Sequence, residues 1–87
     1  MISALFYKDR PVLLKRYIET NGIIGAFVWR EDKREWQVLE GNPSKFTGFP
    51  VKTFKTRREA RALAKKINDA IATAKANDAI ATAKSRL

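Results

Sequence analysis

Phe54-Lys55-Thr56-Arg57-Arg58-Glu59-Ala60-Arg61-Ala62-Leu63-Ala64-Lys65-Lys66 is the stretch on which the fold turns. A β-like run ends at Thr56, whose hydroxyl suits an N-cap, and Glu59 three residues on completes a capping box for the first unpaired backbone N–H groups. A helix begins there. At about 100° per residue counted from Leu63, the side chains of Leu63, Ile67, Ala70, Ile71 and Ala74 share one sector, a core stripe. Arg57, Arg58, Arg61 and Lys65 fall on the opposite side, with Lys66 at its border. The spacing therefore predicts a helix with one packing face and one cationic ridge.

What precedes the junction reads as sheet to lie under that helix. Ile23-Ile24-Gly25-Ala26-Phe27-Val28-Trp29-Arg30 and Trp36-Gln37-Val38-Leu39-Glu40 flank the charged connection Glu31-Asp32-Lys33-Arg34-Glu35, the pattern of a β-hairpin. Alternation along a strand puts Phe27 and Trp29 on one face and Ala26, Val28 and Arg30 on the other. After the turn cluster Gly41-Asn42-Pro43-Ser44, the Gly/Pro-punctuated run from Phe46 to Pro50 reads as an irregular approach to a third strand, Val51–Lys55. Val51, Thr53 and Lys55 share one side of that strand, and Lys52 and Phe54 share the other.

The N-terminal segment admits two readings. Residues 12–20 place Leu13, Leu14, Tyr17 and Ile18 on one helical face, with Pro11 in the first turn and Asn21-Gly22 as a left-handed stop. The rival is a hairpin turning at Asn21-Gly22, with Tyr17–Thr20 and Ile23–Ala26 as its arms. Helix is the favoured reading. Ile2–Tyr7, apolar and aromatic, is expected to be an edge strand or a tail tucked on the core.

Beyond the core stripe the chain repeats itself, Asn68–Lys75 recurring identically as Asn77–Lys84. A nine-residue offset is about two and a half helical turns, which rotates the copy by about 180° from its parent. Ile80, Ala83 and Leu87 then form a second, thin apolar stripe facing away from the core, available to a protein partner. The expected organisation is a single α+β domain over residues 1–75 and a helical extension over 76–87. Its architecture is a small three- to four-stranded antiparallel sheet packed against a long basic C-terminal helix, with a short N-terminal helix.

Composition narrows the chemistry. Cysteine and histidine are both absent, which removes disulfides, thiolate metal sites, cysteine nucleophiles and the commonest general base. The carboxylates Glu31, Asp32, Glu35 and Glu40 alternate with Lys33 and Arg34 in what reads as a solubilising loop, so no catalytic residue, metal or cofactor is expected, nor a small-molecule substrate. The N-terminus lacks a signal-peptide pattern and no run suits a membrane span, so a soluble, cytoplasmic protein with no membrane partner is expected.

Charge points elsewhere. Lys and Arg total 18 against 9 Asp and Glu, a net +9. Residues 1–40 hold seven basic and six acidic side chains, whereas residues 41–87 hold eleven and three. A net +7 lies between Lys45 and Lys66 at a helix N-terminus that also attracts anions. Lys52, Lys55, Arg57, Arg58, Arg61 and Lys65 are the candidate phosphate contacts. Trp29, Arg30 and Trp36 on the hairpin are candidates for base stacking or groove reading.

Two nucleic-acid-binding families resemble this pattern. Thr56-Arg57-Arg58-Glu59-Ala60-Arg61 is similar in charge and spacing to the Ser-Lys-Lys-x-Ala-Lys type motif that opens the last helix of double-stranded-RNA-binding domains, which implies cations gripping phosphates across a groove. The loop that this family inserts between its first two strands is missing here. Phe54-Lys55-Thr56-Arg57-Arg58-Glu59-Ala60 also resembles the strand-to-helix junction of integrase N-terminal and plant AP2-type domains, and the short strand connections suit these better. That resemblance implies Arg30, Trp36 and Lys52 facing DNA on a sheet whose other face carries the helix. The expected function is a non-enzymatic nucleic-acid-binding protein, DNA ahead of double-stranded RNA. The alternative is an adaptor or inhibitor that binds a larger protein through its basic helix and the C-terminal stripe of Ile80, Ala83 and Leu87.

Overall fold

A computed structural model describes residues 3–85, with side-chain surroundings given through residue 76. Helix α1 (Pro11–Asn21) leads into strands β1 (Gly25–Asp32), β2 (Glu35–Asn42) and β3 (Thr47–Phe54), and helix α2 (Arg57–Ser85) closes the chain. The strands form one antiparallel sheet in the order β1-β2-β3, an α+β arrangement with α2 laid across one face.

Helix wins over hairpin at residues 11–21 because each end is locally specified. Pro11 fixes the first turn, and Gly22 adopts the left-handed conformation at φ 63° with its N–H on the Glu19 and Ile18 carbonyls. Leu14 is buried and Leu13, Tyr17 and Ile18 are half-buried, the face expected from their spacing.

Of the two expectations for the N-terminal segment, the tail tucked on the core holds and the edge strand does not: Ala4–Tyr7 is a 3-10 turn with Ala4 buried and Leu5 and Tyr7 packed against the core. Ser3 caps it by accepting the Leu5 N–H at 3.2 Å. The Ala4 N–H donates to both carboxylate oxygens of Glu40, at 2.9 and 3.2 Å, so a side chain takes the partner that strand pairing would have supplied. Glu40 is correspondingly not a solubilising carboxylate. It lies in β2, fully buried, and also accepts from the Tyr17 hydroxyl at 3.1 Å. One acidic side chain thus ties the N-terminal turn and α1 to the central strand. Burial pushes the Glu40 carboxyl above its ordinary value of 4.5, against the lowering effect of the Ala4 N–H and the Tyr17 hydroxyl. The Tyr17 phenol is raised as well, by burial first and then by the Glu40 charge beside it.

The third strand begins earlier than its composition suggests, at Thr47. Gly41 and Gly48 face each other in the β2/β3 register. A Cβ on Gly41 would meet the Thr47 carbonyl oxygen, and one on Gly48 would lie 2.5 Å from the Glu40 carbonyl oxygen. The Gly-rich approach is therefore a site of close backbone contact within the ladder. Val38 pairs with Lys52 and Leu39 with Pro50, which leaves Val51 as an extra residue on β3. Pro50 is tolerated because β3 is an edge strand.

The core stripe of α2 is Ala60, Ala64, Ile67, Ile71 and Ala74, all buried, packed with Ala4, Leu14, Ile23, Ala26 and Val38. Leu63 and Ala70 are only partly buried. Small residues at positions 60 and 64 let the helix approach the sheet, so the stripe is rotated from the one centred on Leu63. Thr56 Oγ1 accepts the Glu59 N–H at 3.3 Å, the N-cap bond the sequence predicts.

Asn68 fixes the position of α2 along β1. Its Oδ1 accepts the Ala26 N–H at 2.8 Å and its Nδ2 donates to the Ala26 carbonyl at 3.0 Å. The amide supplies to this edge strand both hydrogen bonds that a further strand would make. Asn68→Ala is expected to cost about 1–2 kcal/mol in urea unfolding. Asn68→Asp should cost more, because a carboxylate faces the Ala26 carbonyl that the amide now bonds.

Candidate nucleic-acid interface

Rotation of the α2 stripe decides where its cations go. With Ala60 and Ala64 facing the sheet, Arg57 and Arg61 lie on the flank of the packing face and not opposite it, and at about 100° per residue Asn68 shares that flank. The sheet contributes from the same side. Because Ala26 is buried against α2, Val28 and Arg30 follow it to the helix side of β1 by strand alternation. Trp36 is the register partner of Arg30 and shares its face.

These residues line a cleft of ≈ 820 Å³ between α2 and the helix-side face of β1 and β2, built from Val28, Arg30, Trp36, Arg57, Arg58, Arg61, Ala62, Ala64, Lys65 and Asn68. Five of them are cations and none is a carboxylate. The Arg30 guanidinium stands 5.3 Å from the Trp36 ring centroid, a cation–π contact that orients its donors without neutralising its charge. Lys65 is joined to Asp69 at 3.7 Å, both well exposed, a contact of little energetic weight.

Six of the eight expected nucleic-acid residues are thus brought together: Arg30, Trp36, Arg57, Arg58, Arg61 and Lys65. Two are not. Lys52 lies on the helix side of the sheet through its pairing with Val38, but its ammonium rests over the Phe54 ring at 5.2 Å and does not line the cleft. Lys55 is exposed in the connection between β3 and α2 and also lies outside it. The arrangement implied by the AP2-type resemblance, with Arg30, Trp36 and Lys52 on the sheet face opposite the helix, is overturned. The reason is strand parity: burying Ala26 and Val38 under α2 carries these three residues to the helix side.

That leaves the open sheet face to other residues. Phe27 and Trp29 point there, and Phe46 folds over both, at ring-centroid distances of 6.2 and 6.0 Å. The tryptophans are therefore divided, Trp36 half-buried against the core and Trp29 exposed on the open face. Phe46 holds φ at 51°, the left-handed region, where a bulky side chain costs about 1–3 kcal/mol. Asn68 and Phe46 were missed as candidates. A local signal existed for neither, because one acts across 42 positions of sequence and the other through an unusual backbone angle.

Ile80, Ala83 and Leu87, the stripe assigned to a protein partner, lie outside the residues whose side chains are described. Among the described residues no three His, Cys, Asp or Glu side chains converge as a metal ion would require, and no helix is long and apolar enough to cross a membrane. In comparison with known proteins, the chain matches no family model, and no curated protein or solved structure is significantly similar to it.

Proposed function

We propose that this protein is a non-enzymatic nucleic-acid-binding module whose α2/β1 cleft holds backbone phosphates, with duplex DNA preferred to double-stranded RNA. The observation that carries this reading is the convergence of Arg30, Arg57, Arg58, Arg61 and Lys65 on one cleft lined by no carboxylate. Like charges gathered from a helix and a strand repel one another, and a polyanion relieves that repulsion while releasing its own counterions. Arg57, Arg61 and Lys65 recur every four residues, rising about 6 Å per step, so they follow a backbone and do not surround a single small anion. Arginine supplies four of the five cations, and its planar fork suits phosphate oxygens. The N-terminal turn of α2 adds a favourable dipole at the same end.

DNA is preferred because only Lys33 and Arg34 separate β1 from β2, which leaves no loop of the kind that the RNA-binding family sends into a minor groove. The test is a titration with DNA and RNA duplexes at two salt concentrations. Binding that weakens steeply with salt, tighter for DNA, is the expected result. Affinity insensitive to salt, or no binding to either duplex, refutes the proposal.

A further inference from the structure

The open face of the sheet has no role in the cleft, yet it carries the exposed rings of Trp29 and Phe46. Two rows cross it from strand to strand: Trp29, Gln37 and Thr53, and beside them Phe27, Leu39 and Pro50. Neither row contains a charged side chain. Phe46, 67% exposed, stands edge-on to both Phe27 and Trp29, at interplanar angles of 82° and 65°. Its backbone holds φ at 51°, the left-handed region that a bulky side chain rarely occupies.

We propose that this face is a stacking platform for unpaired nucleobases, reached from the phosphate cleft around the β1 edge and resting on the function assigned to that cleft. A nucleobase has a flat π-face and an edge of hydrogen-bond donors and acceptors. Rings at Trp29 and Phe46 meet the first, and the Gln37 amide and Thr53 hydroxyl meet the second. Position favours the same occupant. Trp29 and Arg30 are neighbours on edge strand β1 and point to opposite sides of it, so a strand whose phosphates lie in the cleft has only this edge to pass before its bases reach the rings. A second copy of the chain is disfavoured, because two molecules of net charge +9 repel. The substrate class becomes nucleic acid that carries a single-stranded segment.

The experiment compares the full chain with Trp29→Ala/Phe46→Ala, using labelled single-stranded and duplex DNA of equal length in fluorescence anisotropy. The double variant should lose about tenfold or more in affinity for the single strand, in line with the contribution of one or two stacked bases, and keep its duplex affinity. Trp29→Phe, which retains a ring, should bind nearly as the parent does, and thermal melts should show all the variants folded. Single-strand affinity unchanged in the double variant overturns the platform. So does a parent chain that binds duplex but not single strand, a result that leaves the cleft assignment standing. Failure to bind either probe overturns the cleft assignment and the platform with it. A dimer that the double variant abolishes, seen in sedimentation equilibrium, assigns the face to a second copy and also overturns the platform.

Discussion

Alanine at Gly41 is expected to cost about 3 kcal/mol of folding stability, the upper end of what overpacking typically costs, and in so small a domain that approaches loss of the fold. The new Cβ would fall on the Thr47 carbonyl oxygen and the Gly48 Cα, which are backbone atoms held in the β2/β3 ladder. No side-chain rotation relieves the clash. Sliding β3 by one residue would turn Phe49 and Phe54 from the core to the open face, so a register shift is no escape. Gly48→Ala should behave similarly, since its Cβ would lie 2.5 Å from the Glu40 carbonyl oxygen. Urea unfolding monitored by circular dichroism measures both. A loss below about 1 kcal/mol, the ordinary size of a surface change, would mean that the two strands are not in this close contact.

The second large effect concerns Glu40. Glu40→Ala removes the acceptor of the Ala4 N–H and the Tyr17 hydroxyl together and leaves a cavity in the central strand, for which we expect a loss of about 2–4 kcal/mol at neutral pH. Glu40→Gln should be far milder. The amide oxygen can still accept from Ala4, while its NH2 donates to the Tyr17 oxygen once that hydroxyl turns. The two forms also differ in pH dependence. Burial raises the Glu40 pKa above the 4.5 of the unfolded chain, so the folded state holds this proton more tightly. The resulting contribution to stability is fully present below pH 4.5 and is lost as pH rises through the raised folded value. Glutamine does not titrate. The stability of the parent relative to Glu40→Gln should therefore fall from acid to neutral pH, and a flat or rising difference would contradict the burial of this carboxyl.

Glu40 also shows where sequence ceases to inform. The hairpin, the cap at Thr56, the stop at Gly22 and the C-terminal helix all rest on contacts within a few residues, and the structure contains each of them. Grouping Glu40 with the hairpin carboxylates Glu31, Asp32 and Glu35 places it in solvent, but its partners are Ala4 and Tyr17, 36 and 23 residues away. For the same reason the sequence of residues 2–7 does not decide between strand and tucked tail, since the partner of the Ala4 N–H is that side chain. In the cleft, the cations were identifiable by charge, and Trp36 and Arg30 by composition. Which sheet face they occupy was not legible, because it depends on whether Ala26 or Phe27 is buried under α2. Here the small residue faces α2 and is buried, while the aromatic lies half-buried on the open face, contrary to the usual preference for burying large apolar side chains.

The cleft assignment is tested most directly by the salt dependence of DNA binding in the parent chain and in Arg57→Ala/Arg61→Ala. Each arginine that neutralises a phosphate contributes about 0.9 to the slope of log affinity against log salt concentration. The double variant should therefore bind duplex DNA more weakly, with a slope shallower by about 2. Equal affinity and an unchanged slope would contradict the placement of phosphates between α2 and the β1 edge.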